Sequence, residues 1–174
     1  MDKCKKTVEF VAAHNLCMGC GICSDACPNA AISIKRVDDL NKPVIDKSKC
    51  KNSQGCNRCF TVCAGHGWNI HERNVNLFSE SGSRDNSCFG KYQKCFVGHS
   101  KDYEIRYHSA AGGCCTTFLI YLLKKGFIKG AVVTGFSEKD PLKAEPFIAT
   151  SVEEILSAKS SKYCPVTMAG IITA

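Results

Sequence analysis

The sequence predicts an α+β fold made of two successive parts, and three observations carry that expectation. Eight of the fourteen cysteines fall into two spaced groups between residues 17 and 63. The two groups repeat one another, tails included. Past residue 89 the pattern changes to helix, strand, helix, at lengths that suit an α/β unit.

The first group is Cys17-x2-Cys20-x2-Cys23-x3-Cys27-Pro28; the second is Cys50-x5-Cys56-x2-Cys59-x3-Cys63. The first has the spacing with which bacterial ferredoxins hold a [4Fe–4S] cluster, where the fourth cysteine ligates the other cluster. A cubane needs four thiolates converging on four iron corners. Three cysteines at i, i+3 and i+6 wrap one face, and the fourth must come from elsewhere. The expected sets are therefore crossed: Cys17, Cys20 and Cys23 with Cys63, and Cys50, Cys56 and Cys59 with Cys27. Gly19 and Gly21 suit such a loop, because glycine accepts positive φ and lets amides approach the sulfurs. Pro28 closes the run without a donor.

A shift of 36 residues superposes Cys20 on Cys56, Cys23 on Cys59 and Cys27 on Cys63. It also lays Ala31–Lys35 over Gly67–His71, both alternating like short strands. The second group departs in two ways: a longer loop, Lys51–Gly55, follows Cys50, and Ala64 stands where proline is expected. Zinc ribbons use two separated C-x2-C pairs, whereas both runs here continue to a fourth cysteine after three residues. Disulfides need an oxidising compartment. Residues 1–16 carry no apolar h-region or cleavage site, so a cytoplasmic setting is expected.

The chain has 174 residues, 44% of them hydrophobic, which allows one ordinary domain or two small ones. The expected organisation is a two-cluster domain over 1–78, a linker over 79–88 and an α/β domain over 89–174. The apolar stretch Phe118–Leu123 is far below the roughly 20 residues a membrane crossing needs, so no direct insertion is expected. Two clusters at about −2 each would bring the formal charge of +7 to about +3. The lysines are scattered with no basic stripe, which disfavours nucleic acid.

In the second half, residues 74–86 turn polar. Ala111–Lys125 is expected to be a helix, with Gly126 as its stop. Ala131-Val132-Val133 follows as a short buried strand. Ser151-x-x-Glu154 is a capping box opening a helix through Ile155 and Leu156. Cys114 and Cys115 are expected to be small buried hydrophobes. Cys4, Cys88, Cys95 and Cys164 lack cluster spacing. Gly112-Gly113 before the helix either permits a tight turn with close packing or offers amides to a phosphate.

Asp102-Tyr103-Glu104-Ile105-Arg106, Ser109-Ala110-Ala111-Gly112-Gly113, Gly130-Ala131-Val132-Val133, Glu153-Glu154 and Ser161-Lys162-Tyr163 resemble the coenzyme F420 hydrogenase/dehydrogenase beta-subunit family. With the cysteine groups, the resemblance covers most of residues 15–165. It implies a two-cluster ferredoxin-like region joined to an α/β flavin domain, with Ser109, Gly112 and Gly113 near the cofactor. It implies that FAD exchanges hydride with coenzyme F420 or a similar carrier, and single electrons with two [4Fe–4S] clusters. Many relatives read Ser-Ser-Ser-Gly-Gly where this chain reads Ser109-Ala110-Ala111-Gly112-Gly113. The family also runs on well past this length, and Ile171–Ala174 reads as an element cut mid-course. An incomplete flavin domain is therefore expected, with FAD belonging to the longer protein. The other reading is a non-enzymatic electron-transfer module that docks a redox partner.

Overall fold

The computed structural model describes residues 6–78, 84–86 and 90–172. By its contacts the chain divides into one unit of 1–66 with 99–174 and a second unit of 67–98.

The first unit opens with α1 (Val8–Ala13), whose N-cap Thr7 accepts the Glu9 amide on its hydroxyl. Val8 and Val11 are its buried residues. A single turn, α2 (Ile22–Asp25), follows the first cysteine loop. β1 (Ile32–Val37) and β2 (Leu40–Ile45) then pair antiparallel, Ile32 opposite Ile45 and Val37 opposite Leu40. Their two-residue turn holds Asp38 and Asp39 at φ 50° and 60°, left-handed values that short polar side chains tolerate. The second cysteine loop contains a 3-10 turn at Asn52–Gln54 and leads into α3 (Arg58–Thr61). Val8, Cys23, Ile32, Ile45 and Cys59 form the buried core of this region. The cysteines are thus core residues as well as candidate ligands.

The second unit carries α4 (Ile70–Leu77) and an antiparallel pair, β3 (Arg84–Asn86) with β4 (Gly90–Tyr92). The expectation of a second short strand at Gly67–His71 is not met, because α4 starts inside it. The side chain of Asn69 accepts the Glu72 amide and so caps the first turn of that helix. Residues 74–77, expected to lie in a polar connection, also belong to α4. Of the expected linker 79–88, only 84–86 lies within the described residues; Cys4 and Cys88 also lie outside them.

The remainder of the first unit contains α5 (Tyr103–Tyr107), α6 (Cys114–Lys124), β5 (Ala131–Phe136), β6 (Ala144–Ala149) and α7 (Val152–Ser157). Asp102 caps α5 through the Ile105 amide. Helix α6 starts three residues later than expected, because Ala111, Gly112 and Gly113 take left-handed conformations in a turn before it. Gly126, at φ 71°, lies just past its end as a C′ residue. β5 does not stand alone: it pairs antiparallel with β6, from Ala131 opposite Ala149 to Phe136 opposite Ala144. Of the expected buried Ala131–Val133 only Ala131 is buried, and Val132 is 52% exposed. Ser151 and Glu154 form the expected capping box on α7. Ile120, Ala149 and Ile155 make the core here, lined by Ile105, Leu119 and Phe147.

Candidate functional site

The cysteine loops enclose two separate hollows. Cys17, Cys20, Cys23 and Cys63 line the first, with Leu16, Ile22, Ile34 and Pro43 around them. Cys27, Cys50, Cys56 and Cys59 line the second, beside Ile32, Ile45 and Pro28. The fold therefore brings the cysteines together in the crossed sets, each loop lending its fourth cysteine to the other.

Local chemistry explains how each loop is held. Gly19 and Gly21 sit at φ 74° and 80° and are buried; a Cβ on Gly19 would meet the Asn41 carbonyl at 2.8 Å. Gly65, two residues past Cys63, has no room for a Cβ, which would come within 2.5 Å of the Leu16 carbonyl. The longer second loop is pinned by Asn52, whose Nδ2 donates to the Cys56 carbonyl at 2.8 Å. His66, beside this loop, is exposed and stacks on Phe60.

Burial, followed by the neighbouring Cys20 and Cys63 thiols, pushes the Cys23 thiol up to about 12. Burial also raises Cys59, while the amides of Val8 and Phe60 pull it the other way. Four thiolates crowded into an apolar pocket repel one another unless a positive core sits between them. Backbone donors help to offset that repulsion, since the Ala31 N–H reaches Cys27 Sγ at 3.3 Å. Among the described residues, no three His, Cys, Asp or Glu side chains are grouped to hold a single metal ion. A lone zinc would draw its sulfurs to within about 3.8 Å of one another. Four thiols at each hollow match the number of ligands that a cubane takes.

A third hollow lies in the second half, between the turn before α6, strand β5 and the chain after α7. Ser109, Ala110, Thr116, Leu119 and Val133 form part of its wall, and Ser160, Ser161 and Lys162 another. The Ser109 Oγ is buried with no hydrogen-bond partner among the described residues. Gly112 and Gly113 do not line this hollow. The Gly112 carbonyl accepts the Ser100 N–H at 2.7 Å, and Gly113 packs so closely on α5 that a Cβ would meet Ile105 Cγ2 at 2.9 Å. They shape the turn that presents Ser109. Lys162 Nζ donates to the Ala158 and Lys159 carbonyls at 2.8 and 2.7 Å, closing the end of α7, and burial lowers its pKa. Cys115, expected to be buried, is exposed on α6 and lines the hollow; Cys114 is half-buried. Sequence periodicity marks α6 as apolar but does not say which face meets the hollow. Cys164, which has no cluster spacing, also lines this wall.

Comparison with known proteins finds two matches along the chain. Residues 16–67 match the 4Fe-4S dicluster domain, and residues 95–173 match the N-terminal domain of the coenzyme F420 hydrogenase/dehydrogenase beta subunit. Coenzyme F420 hydrogenase subunit beta of Methanosarcina barkeri is 39% identical over 42% of this chain and 25% of its own length. A subunit of the F(420)H(2) dehydrogenase of Methanosarcina mazei is 25% identical over 90% of this chain and 41% of its own. The coenzyme F420-dependent sulfite reductase of Methanocaldococcus jannaschii is 29% identical over 91% and 21%. The chain thus spans between about a fifth and two-fifths of the length of these relatives. A chain of the solved F420-reducing [NiFe] hydrogenase complex of Methanosarcina barkeri aligns with 48% of this chain and 28% of its own, at 32% identity and a TM-score of 0.44. No helix among the described residues is long and apolar enough to cross a membrane.

Proposed function

We propose that this chain is a member of the coenzyme F420 hydrogenase/dehydrogenase beta-subunit family, with a 4Fe-4S dicluster domain ahead of the family's N-terminal domain, and that its residues divide the work as follows. Cys17, Cys20, Cys23 and Cys63 hold one [4Fe–4S] cluster, and Cys50, Cys56, Cys59 and Cys27 hold the other. Single electrons pass through them to or from a flavin in the hollow beside Ser109, which exchanges hydride with coenzyme F420 or a similar carrier. The organisation that follows is a cluster domain over 1–78, a connection over 79–88 and a flavin-type domain from 89. The observation that carries this is the pair of hollows, each lined by four cysteines in the crossed arrangement.

A bound flavin links two-electron hydride chemistry to one-electron steps, and a bound cubane takes one electron at a time. The chain's own residues supply the setting. Val8, Ile32 and Ile45 keep water from the cysteines. The Ala31 amide favours a charged Cys27 sulfur. Ser109 offers an unsatisfied hydroxyl to a polar edge of the cofactor, and Leu119, Val132 and Val133 give it an apolar floor. The relatives named as subunits support protein partners for this chain as well.

The test uses the full chain in its native complex, kept anaerobic. Reduced F420 or NAD(P)H should bleach the cluster absorbance only when FAD is retained, and Ser109→Ala should weaken flavin retention on gel filtration. Clusters that dithionite reduces but no hydride carrier reduces, with or without FAD, would leave only an electron-transfer module.

A further inference from the structure

The chain after α7 returns across the first cysteine loop. Met168 donates its N–H to the Cys20 carbonyl at 2.7 Å. Asp25, at the end of α2, accepts the Gly170 N–H on Oδ1 at 2.7 Å and the Ile172 N–H on Oδ2 at 3.2 Å. Ser24 Oγ, which donates to the Gly21 carbonyl at 2.8 Å, also lies 3.0 Å from the same Oδ1. The approach is tight: a Cβ on Gly21 would meet the Ala169 nitrogen at 2.8 Å and also strike the Thr167 hydroxyl. The same stretch walls the Ser109 hollow through Cys164 and Val166. Two residues of chain reach at most about 7 Å, so one short segment touches both the hollow and the Cys20 carbonyl.

We propose that residues 164–172 are a strap latched over the first cysteine loop by Asp25, and that Asp25 is a positioning residue setting the solvent exposure of the cluster held by Cys17, Cys20, Cys23 and Cys63. The proposal rests on the cubane assignment made above. The latch is bidentate, and one half-buried carboxylate takes two backbone donors from a segment far away in sequence. Nothing in the folding of α2 itself requires those two bonds. Cluster potentials depend on net charge, hydrogen bonding and solvent exposure. Reduction adds negative charge, and water stabilises the more highly charged form, so opening the strap raises the first cluster's potential. It also admits oxygen. The strap's hydrogen bonds fall on Cys20 and Asp25, so the cluster on Cys50, Cys56 and Cys59 should respond less.

The test is an EPR-monitored redox titration and an air-exposure time course on the anaerobic full chain, comparing wild type with Asp25→Asn and Gly170→Pro. The first cluster is identified by its selective loss in Cys63→Ser. Asp25→Asn removes charge as well as part of the latch. Gly170→Pro keeps the charge, removes the N–H that Oδ1 accepts, and cannot adopt the native φ of 85°. Ile172→Pro, which removes the other donor, is the second variant should Gly170→Pro fail to fold. The expected result is a more positive first-cluster potential and a several-fold shorter lifetime in air for Asp25→Asn and for a proline variant, with the second cluster changed less. A shift in Asp25→Asn alone would mean that charge and not the strap is at work, and would overturn the proposal. So would wild-type behaviour in both proline variants, or equal changes at the two clusters. Iron and sulfide in the wild type report on the cubane assignment separately: their absence removes both readings, whereas their presence with an unresponsive first cluster removes the strap alone.

Discussion

Cys63 sits at the hollow of Cys23 and not at that of its own neighbour Cys59, although Cys59 is only four residues away and Cys23 lies on the other loop. The exchange ties α2 to α3 through whatever fills the hollows, so each loop depends on the other. Cys63→Ser should therefore abolish or alter the cluster signal of the Cys17, Cys20, Cys23 set, and Cys27→Ser that of the Cys50, Cys56, Cys59 set. EPR of the reduced variants checks this. An untouched first-set signal in Cys63→Ser would mean the pairing is not crossed.

The two clusters should differ. The second loop is longer, contains a 3-10 turn and is held by the Asn52 side chain on the Cys56 carbonyl. Two resolved reduction steps are expected in a redox titration. Asn52→Ala should shorten the air lifetime of the second cluster more than that of the first. Coincident midpoints with equal lifetimes would contradict this.

Glycine substitutions should separate strain from crowding. Gly113 and Gly126 both have positive φ, 75° and 71°, yet only Gly113 faces a neighbour, Ile105. Gly126→Ala should cost about 1 kcal/mol from backbone strain. Gly113→Ala adds a clash with α5 and should cost more, on the order of 2–3 kcal/mol. Thermal or urea unfolding of the two variants side by side gives the comparison; equal losses would argue against close packing at Gly113.

The capping box on α7 gives a pH prediction. The Thr150 and Ser151 amides donate to the Glu154 carboxylate and hold its pKa below the ordinary value. A carboxyl depressed in the folded state contributes stability that is present above its unfolded pKa. That contribution fades as pH falls through the ordinary carboxylate range toward the folded value. Glu154→Gln should therefore flatten the acid limb of the stability profile, and Ser151→Ala should cost about 1 kcal/mol near neutral pH. An acid limb unchanged by Glu154→Gln would show that this carboxylate is not linked to folding.

The grouping of the eight cysteines around two hollows was legible because the spacing that suits a cubane is local, and local spacing is what a sequence displays. The capping box at Ser151 and the stop at Gly126 were legible for the same local reason. Strand β6 was not: Pro146 lies within it, opposite Thr134, and a two-stranded pair leaves an outer edge where a missing N–H costs nothing. The tail after Cys63 misled, since alternation over Gly67–His71 carries less weight than an Asn69 cap on the helix that follows. The left-handed Ala111 delayed α6 with no signal in residue type. The contacts of 164–172 with Cys20 and Asp25 are long-range, and no periodicity encodes them.

The most direct measurement of the central claim is the iron and acid-labile sulfide content of the anaerobically purified chain. Two crossed four-cysteine sets, each around a cubane, require about eight irons and eight sulfides per chain. Zinc without sulfide, or no more than half that iron after anaerobic reconstitution, would contradict it.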